Sequence, residues 1–378
     1  MDFTLLTGPK SPEATMSFPW TFLFRIPFYF FEWGLVGLEA GAMFGTLIDY
    51  WWLTGDDSYN NITSQAMLHQ AGTPADDMPD NQMLAVGNDD QGSWAMAAMS
   101  AAEHSFPDPL DTHPGWLVRA QAVFNGYVSR WDSQHCNGVT DDMGIYDGVT
   151  IGDGQDCSNI VKTQWSYNTG IFLHGAAVLY NLTESDTWKK RVGGMTSDVW
   201  NKFVKNHIIN EQFCEEHKQC NQDQRSFKGY LAHWMAATSQ DAPYTNTNIT
   251  TLLKSGAQAA AKVCDGCPTR GYEGSAGTAC GFSWLADSFD DIVGFGLQIN
   301  AASILMYTLV DKAKAPVTSK TGGTFKGNPG GRDTNSGQED GRLKYKTITI
   351  AEKVGAGILT LLIAAGVVGG TAFLVLER

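Results

Sequence analysis

The chain has 378 residues, with 26 Lys and Arg against 40 Asp and Glu, and a formal net charge of −14. This balance argues against a nucleic-acid-binding protein, which needs clustered basic residues to neutralise phosphates. Hydrophobic residues form 43% and aromatic residues 11% of the chain, which excludes a disordered or collagen-like protein. Charged residues are only 17%, while there are 12 Trp and 12 Tyr. Such a composition is typical of proteins that handle neutral polar ligands such as sugars.

Residues 1–38 form an atypical apolar N-terminal segment. Residues 18–38 are strongly apolar, but they include two prolines, Arg25 and Glu32, and no basic leader directly precedes them. The pattern does not match a secretory signal peptide. We therefore treat this segment separately from the domain that follows.

Between residues 39 and 311, apolar residues recur at helical spacing and strand signals are scarce. Four helix–turn–helix units are followed by a last helix at 292–310. The turn centres repeat about every 55 residues, which predicts an all-α array of helical hairpins, either an open solenoid or a closed (α/α) toroid. In a toroid, the inner helices converge on a central funnel that can hold a site. The predicted pairs are 39–52 with 62–70, 94–103 with 116–131, 167–182 with 192–203, and 227–238 with 252–263.

The C-terminal part predicts a membrane tether. Residues 312–353 are rich in Gly, Lys, Thr, Ser and Asn and predict a solvated, flexible linker. Residues 354–376 contain no charge and are long enough to cross a bilayer as a helix. They are either a transmembrane anchor or the discarded tail of a GPI-attachment signal. Three sequons, which fit glycosylation on the extracellular face, begin at Asn61, Asn181 and Asn248.

The chain contains seven cysteines. Their spacing makes Cys214 with Cys220, and Cys264 with Cys280, plausible loop-closing pairs. A zinc site at Cys264-x-x-Cys267 is the alternative, but no second CxxC or HxxxH follows at a ligand spacing. We therefore predict disulfides in an oxidising compartment and no metal site.

Adjacent aspartates occur five times, and the sequence context distinguishes one pair, Asp89 and Asp90. No charged residue follows until Glu103, which predicts a helix buried on all sides. We expect the two carboxylates at its start to lie close together and to be partly desolvated, so that the pKa of one is raised. Glycosidic cleavage uses such a pair, one acid for the leaving oxygen and one carboxylate for the anomeric carbon. An N-cap on a core helix is the alternative interpretation.

Residues near the pair are candidate substrate contacts. Aromatic rings could stack on sugar rings, and packing in the core is the alternative for each of them. The candidates are Asn88, Gln91, Trp94, Tyr50 and Trp51.

The sequence gives no support for a cofactor. It contains no P-loop and no Gly-rich dinucleotide motif after a strand. Three histidines, His104, His174 and His233, are scattered along the chain and do not form a Ser/His/Asp arrangement.

Two long motifs, residues 39–57 and 87–103, closely resemble glycoside hydrolase family 76, in particular the fungal, GPI-anchored endo-α-1,6-mannanase-like proteins of cell-wall biogenesis. Residues 165–173, residues 223–229 and the tail from Gly355 resemble the same group. The resemblance extends from about Glu39 to the C-terminus.

This resemblance implies an (α/α)6 toroid and a retaining mechanism, with Asp89 as nucleophile and Asp90 as general acid/base. Two departures are expected. Residues 1–38 look unrelated to the family's first helix, and Cys136 leads almost directly to Tyr146 where the family has a further hairpin. Four pairs and one helix are fewer than the six pairs of a closed ring, so we expect an incomplete toroid.

The expected function is a hydrolase or transglycosylase acting on α-1,6-linked mannose. Its substrate would be mannan or the glycan of GPI-anchored proteins, and wall polysaccharide would be the acceptor. A catalytically impaired mannan-binding or structural cell-wall protein is one alternative. A helical scaffold for protein partners is another.

Overall fold

Nine α-helices lie within the residues that the structure, a computed structural model, describes. These residues are 37–72, 75–79, 82, 86–110, 113–130, 144–150, 159–272, 274–318, 320–323 and 327. The helices are α1 Leu38–Thr54, α2 Asn60–Gln70, α3 Asn88–Glu103, α4 Trp116–Arg130, α5 Ser166–Thr183, α6 Asp186–Phe203, α7 Phe227–Asp241, α8 Asn246–Lys262 and α9 Phe295–Met306. Short 3-10 helices follow α7 at Pro243–Thr245 and α9 at Tyr307–Lys312.

Strands are few and short among the described residues, so the predicted all-α class is confirmed. Gly148–Thr150 (β1) pairs antiparallel with Asn159–Val161 (β2), with Val149 opposite Ile160. Val204–Lys205 (β3) pairs antiparallel with Ile208–Ile209 (β4).

The helices end and begin where the sequence provides caps. Gly55 adopts a left-handed conformation with φ of 75° after α1, and its amide donates to Trp51 O over 2.7 Å. Helix α6 begins at Asp186, before the predicted residue 192, because the Ser185 hydroxyl accepts a hydrogen bond from the Thr187 amide. Capping residues therefore extend helices beyond their apolar stretches.

The odd-numbered helices run parallel, and direct contacts join α1 to α3, α5 to α7, and α9 to both α7 and α1. A Cβ added at Gly41 of α1 would lie 2.1 Å from Ser93 Oγ of α3, so glycine is needed for this close approach. Helices α7 and α9 also approach closely, since the Gly229 amide donates to Asn300 Oδ1 over 2.6 Å. All 12 residues of α9 are buried, as expected for an inner helix.

The even-numbered helices form an outer layer with one apolar face. In α8, for example, Ile249, Leu252 and Leu253 are buried, whereas Asn248 and Thr251 are exposed. This pattern is typical of a helix that covers a core on one side. The inner and outer layers together give the helical-hairpin array that the sequence predicts.

The first part of the predicted linker 312–353 is docked onto helix ends. Trp52 Nε1 of α1 donates to Lys314 O over 3.1 Å, and the Val317 amide donates to Glu103 O of α3 over 2.8 Å. Lys320 Nζ lies 2.8 Å from a Glu184 carboxylate oxygen. These contacts tie the start of the segment to the C-terminal ends of the helices, while its described residues remain exposed or partly exposed; the solvated, flexible linker stays a prediction.

The predicted hydrophobic tail at 354–376 lies outside the described residues. Within the part of the chain that is described, no helix combines the length and apolar character needed to cross a bilayer.

The structure contains disulfides between Cys214 and Cys220 and between Cys264 and Cys280. These are the two pairs predicted from spacing. Cys267 is a free, exposed thiol, so it does not share a site with Cys264.

A buried ion pair fixes the loop before α3 to α4. Asp77 and Arg119 are both fully buried, and the guanidinium contacts the Asp77 carboxylate. On the α3 side, Gln91 Nε2 donates to Asp76 O over 2.7 Å. The loop that leads to the acid pair is therefore tied to both neighbouring helices.

We expect Arg119→Ala to lower the free energy of unfolding by about 3–5 kcal/mol, because it leaves the Asp77 charge buried without its partner. Urea denaturation measures the effect. The matched control is Lys205→Ala, which removes an exposed pair with Glu216 and should leave the stability nearly unchanged. If both variants change the free energy of unfolding equally, the Asp77–Arg119 pair does not have this stabilising role.

Candidate active site

The inner helices α1, α3, α5 and α7 line a narrow funnel with a cavity volume of about 30 Å³. Gly41 and Gly45 of α1 lie on one side of it, and the rings of Tyr167, Tyr230 and Trp234 line the other. Because the inner helices are parallel, their N-terminal ends gather at one end of the funnel. An aromatic wall of this kind suits an uncharged ligand with flat faces.

Asp90 links the N-termini of two inner helices. Its Oδ1 accepts a hydrogen bond from the Leu38 amide at the start of α1 over 2.7 Å, and its Oδ2 accepts one from the Gly87 amide before α3 over 2.8 Å. Ser93 Oγ strengthens the junction by donating to Leu38 O over 3.0 Å. The expected capping role is therefore present, and it fixes the orientation of the Asp90 carboxylate.

Asp89 differs from its neighbour. Its side chain is exposed, and it forms no hydrogen bond with any described residue, whereas Asp90 is half-buried. The expectation of a desolvated pair is wrong, because the pair lies at the open N-terminal end of α3 rather than inside the ring. The two side chains differ instead in their hydrogen bonding.

The spacing of the two carboxylates is limited by their contact with Gly87. The position that a Cβ of Gly87 would occupy lies 2.5 Å from Asp89 Oδ1 and 3.5 Å from Asp90 Oδ2, so these oxygens are at most about 6 Å apart. Retaining glycosidases hold their carboxyl groups about 5–5.5 Å apart, and inverting enzymes about 6.5–9.5 Å. This upper limit lies below the range of the inverting enzymes and is compatible with a retaining pair.

Two glycines make room for these acids. A Cβ at Gly37 would lie 2.0 Å from Asp90 Oδ1, and one at Gly87 would lie 2.5 Å from Asp89 Oδ1. A side chain at either position would displace a carboxylate. Gly37 was not a predicted site residue, since only the fold brings it to α3.

Two further acids lie near the pair. Asp223 lies on the exposed side of the loop before α7, and its pKa is raised first by partial desolvation and then by the negative charges of Asp90 and Asp89. Glu39 in the first turn of α1 is only 3% exposed. Burial, with a smaller effect of Asp223, raises its pKa to about 7. The sequence analysis did not predict a role for either acid.

Tyr167 belongs to the same region. Burial raises its pKa, followed by the charges of Asp89 and Asp147. Its ring lines the funnel, and its hydroxyl faces the acids. It lies in the motif at 165–173, but no residue spacing in the sequence indicates that it approaches Asp89.

Three of the predicted substrate-contact residues, Asn88, Gln91 and Trp94, are close to the acid pair in sequence, but their side chains lie in different surroundings. Asn88 is exposed, and its carbonyl accepts a hydrogen bond from Tyr127. Gln91 is fully buried against the preceding loop, and Trp94 is 3% exposed and stacks on Phe44 at 5.6 Å between ring centroids. The predictions of substrate contact for Gln91 and Trp94 are wrong, because helical periodicity turns both towards the core.

Tyr50 and Trp51 are not near the pair. Twelve residues of helix separate Leu38 from Tyr50, which corresponds to about 18 Å at 1.5 Å per residue. Tyr50 donates to Asp56 over 2.7 Å, and Trp51 packs edge-on against Phe106 at 5.3 Å. The prediction that they contact substrate at the acid pair is wrong, since they lie at the opposite end of α1.

The histidines also lie at that opposite end. Asp49 accepts from Ser100 over 2.6 Å and lies 3.2 Å from His233 Nδ1, while His104 Nδ1 lies 3.5 Å away. His174 contacts Asp241 at 3.2 Å. The expectation of scattered histidines is wrong, because parallel inner helices bring them together. In the described ranges, His, Cys, Asp and Glu form no group of three that could hold a metal ion.

The three predicted glycosylation sites differ in access. Asn61 and Asn248 are exposed on outer helices. Asn181 is half-buried, and its Nδ2 donates to Asp241 Oδ1 over 2.8 Å. Glycosylation at Asn181 would break this hydrogen bond, whereas the other two sites are available.

A ring of helical hairpins with two adjacent carboxylates at the mouth of an aromatic-lined funnel defines a protein of the glycosidase class. The family model of glycosyl hydrolase family 76 matches residues 15–139 and 139–320, and the chain belongs to this family.

Curated relatives and a solved structure agree with this family membership. The chain is 33% identical to mannan endo-1,6-alpha-mannosidase DCW1 of Saccharomyces cerevisiae, over 93% of this chain and 87% of that protein. It is 34% identical to a putative mannan endo-1,6-alpha-mannosidase of Schizosaccharomyces pombe, over 77% of each. The crystal structure of Dfg5 from Chaetomium thermophilum in complex with glucosamine superposes with a TM-score of 0.69 at 32% identity, covering 78% of this chain and 85% of that one.

The comparisons also correct the expected start of the resemblance. The family match begins at residue 15, so part of the segment 1–38 belongs to it. The match is interrupted at residue 139, where a missing hairpin was predicted. The alignment with the Saccharomyces relative spans 414 positions and includes about 350 residues of this chain, so about 60 positions are occupied only in the relative. This is the length of about one hairpin, which agrees with the prediction of an incomplete toroid.

The buried acids predict a stability that falls as pH rises. Burial raises the pKa of Glu39 to about 7 and that of Glu211 to about 8, from an ordinary value of 4.5. Their contribution is complete below pH 4.5 and is lost as the pH rises through 7 and 8. Burial lowers the pKa of His233 to about 4, so its opposite effect is confined to lower pH. We expect the unfolding temperature to fall by roughly 5 °C or more between pH 6 and pH 9.

Thermal unfolding followed by circular dichroism measures this change. Glu211→Gln should flatten the fall, because an amide does not titrate. An unfolding temperature that stays constant or rises over this range would contradict the burial of these acids.

Proposed function

We propose that the protein is a retaining mannan endo-1,6-α-mannosidase or transglycosylase. The observation that carries the proposal is the acid pair, with carboxylate oxygens at most about 6 Å apart at the mouth of the funnel. Membership of the family and relatives that carry this activity in their names support it.

In this proposal, Asp89 attacks the anomeric carbon while Asp90 donates a proton to the leaving glycosidic oxygen. The C–O bond to the leaving sugar breaks, and a bond between the sugar and Asp89 forms. Asp90 then takes a proton from water or from a sugar hydroxyl, which attacks the same carbon and releases Asp89. Hydrolysis and transfer differ only in this attacking group.

The hydrogen bonds of Asp90 are compatible with its role. Each carboxylate oxygen has two lone pairs, and one amide occupies one of them on each oxygen. The remaining positions can carry the proton. Because the amides of Leu38 and Gly87 belong to helix starts, the proton is held in a fixed place relative to Asp89.

We further propose that the natural substrate is α-1,6-mannan or the mannose-containing glycan of GPI-anchored proteins. Wall polysaccharide is the proposed acceptor. The aromatic wall of Tyr167, Tyr230 and Trp234 offers ring faces for stacking on neutral sugars. The proposed location is the extracellular face of the cell membrane and wall, with the uncharged tail at 354–376 as the tether, either a GPI signal or a transmembrane helix.

Replacing Asp89 by Asn tests the activity. We expect turnover of α-1,6-mannan oligosaccharides to fall roughly a thousandfold or more, since an amide cannot form the glycosyl ester. Product release or transfer is measured by chromatography, and binding by calorimetry. If the parent protein binds the oligosaccharides without any turnover, the non-catalytic mannan-binding alternative replaces this proposal.

Replacing Gly37 by Ala tests the positioning of Asp90. The added methyl group would overlap Asp90 Oδ1 and displace the carboxylate. Because misplacement by about 1 Å can reduce rates about a hundredfold, we expect a loss of that size in kcat/KM. Gly175→Ala is the control, as its Cβ would meet nothing within 4 Å. Unchanged activity in Gly37→Ala would contradict the assigned role of Asp90.

A further inference from the structure

Glu39 is an unusual residue, because it is a buried acid that has no hydrogen-bond partner in the described part of the chain. Its side chain is 3% exposed, and neither carboxylate oxygen forms a hydrogen bond with a described residue. A buried ionised carboxylate in this state would cost several kcal/mol, so a buried carboxyl group without partners normally keeps its proton. Nothing in the proposed mechanism uses this residue.

The position of Glu39 connects it to the acid pair through the backbone. Glu39 directly follows Leu38, whose amide donates to Asp90 Oδ1 over 2.7 Å. Both residues belong to the first turn of α1, where amides have no partner within their own helix. A movement of this first turn that brings the Glu39 side chain to water would also move the Leu38 amide.

The groups that face Glu39 favour its neutral form. Asp223, from the loop before α7, is the charged group that acts on it, and Tyr230 of α7 also interacts with it. Asp223 interacts in turn with Asp90 and Asp89 of α3. Among the described residues, no cation acts on Glu39, so ionisation adds a negative charge beside another acid.

We propose that Glu39 is a positioning residue for Asp90. While the Glu39 carboxyl group is protonated, it keeps the first turn of α1 folded against α3. When Glu39 loses its proton, hydration of the carboxylate draws this turn outwards and removes the Leu38 amide from Asp90. The acid pair is then held at acidic pH and released as the medium becomes neutral to alkaline. This inference rests on the proposed function only for its effect on activity.

Hydrogen exchange gives a test that does not need turnover. The amides of peptide 37–44 are compared with those around Gly229, whose amide is bonded to Asn300, at pH 5.5 and pH 8.5 after correction for intrinsic rates. In the parent protein, we expect the protection factors of peptide 37–44 to fall between pH 5.5 and pH 8.5 by at least tenfold more than those of the Gly229 region. In Glu39→Gln this difference should disappear, because the amide cannot ionise.

The pH profile of kcat/KM on α-1,6-mannan oligosaccharides gives the second readout. The parent should lose activity above about pH 7, and Glu39→Gln should shift this alkaline limit upwards by at least one pH unit. Glu103→Gln is the matched control, since Glu103 is also an acid whose pKa is raised by burial but lies at the far end of α3. It should leave both readouts unchanged.

Asp223→Asn provides a second variant if Glu39→Gln does not fold. Removing the neighbouring charge lowers the pKa of Glu39, so the midpoint of the loss of protection in peptide 37–44 should shift to lower pH, by about half a unit. Protection of peptide 37–44 that is independent of pH in the parent would overturn the inference. Absence of turnover together with the expected exchange pattern would overturn only the proposed function.

Discussion

The structure depends on one interaction, the bridge that the Asp90 carboxylate forms between the first amides of two parallel helices. Leu38 and Gly87 donate from different helix starts, so the bridge fixes the register of α1 against α3 and the orientation of the acid at once. Helix N-termini favour a negative group in this position. The bridge requires a backbone without side chains on both sides of the carboxylates, and Gly37 and Gly87 provide it. The structural cap is therefore compatible with the proton-donor role that we propose for the same side chain.

Several features could be predicted from the sequence because they depend on local patterns. The hairpin period gave the helical array, and the closeness of Cys214 to Cys220 in sequence indicated their pairing. The failures share one cause, which is that spacing along a helix does not reveal which neighbour each face meets. Trp94 is next to the acid pair in sequence but faces Phe44 in the core. Glu39 was overlooked for the same reason, since a charged residue in a first turn is usually solvated.

Two observations mark the interval between α4 and α5: the family match is interrupted there, and the flanking helices expose apolar side chains. Apolar side chains on the two helices that flank the interrupted family match are exposed, with Phe124 at 65% and Val128 at 57% on α4, and Phe172 on α5 at 44%. Exposed apolar residues grouped in this way are uncommon on a closed domain. They correspond to the faces that a further hairpin covers in a complete ring. The mouth of the funnel does not depend on that hairpin, because its acids come from α1, α3 and the loop before α7.

The exposed state of Asp89 and the anchored state of Asp90 are complementary. A nucleophile must approach the anomeric carbon and later leave it, and a side chain without hydrogen bonds to its neighbours can do so without breaking any. A proton donor must stay aligned with the leaving oxygen, and two backbone amides hold it there. In the proposed mechanism, the low-polarity surroundings expected from the sequence would arise when a sugar covers Asp89 and displaces its water. Desolvation would then belong to the complex with substrate, and the free protein would supply the geometry of the two carboxylates.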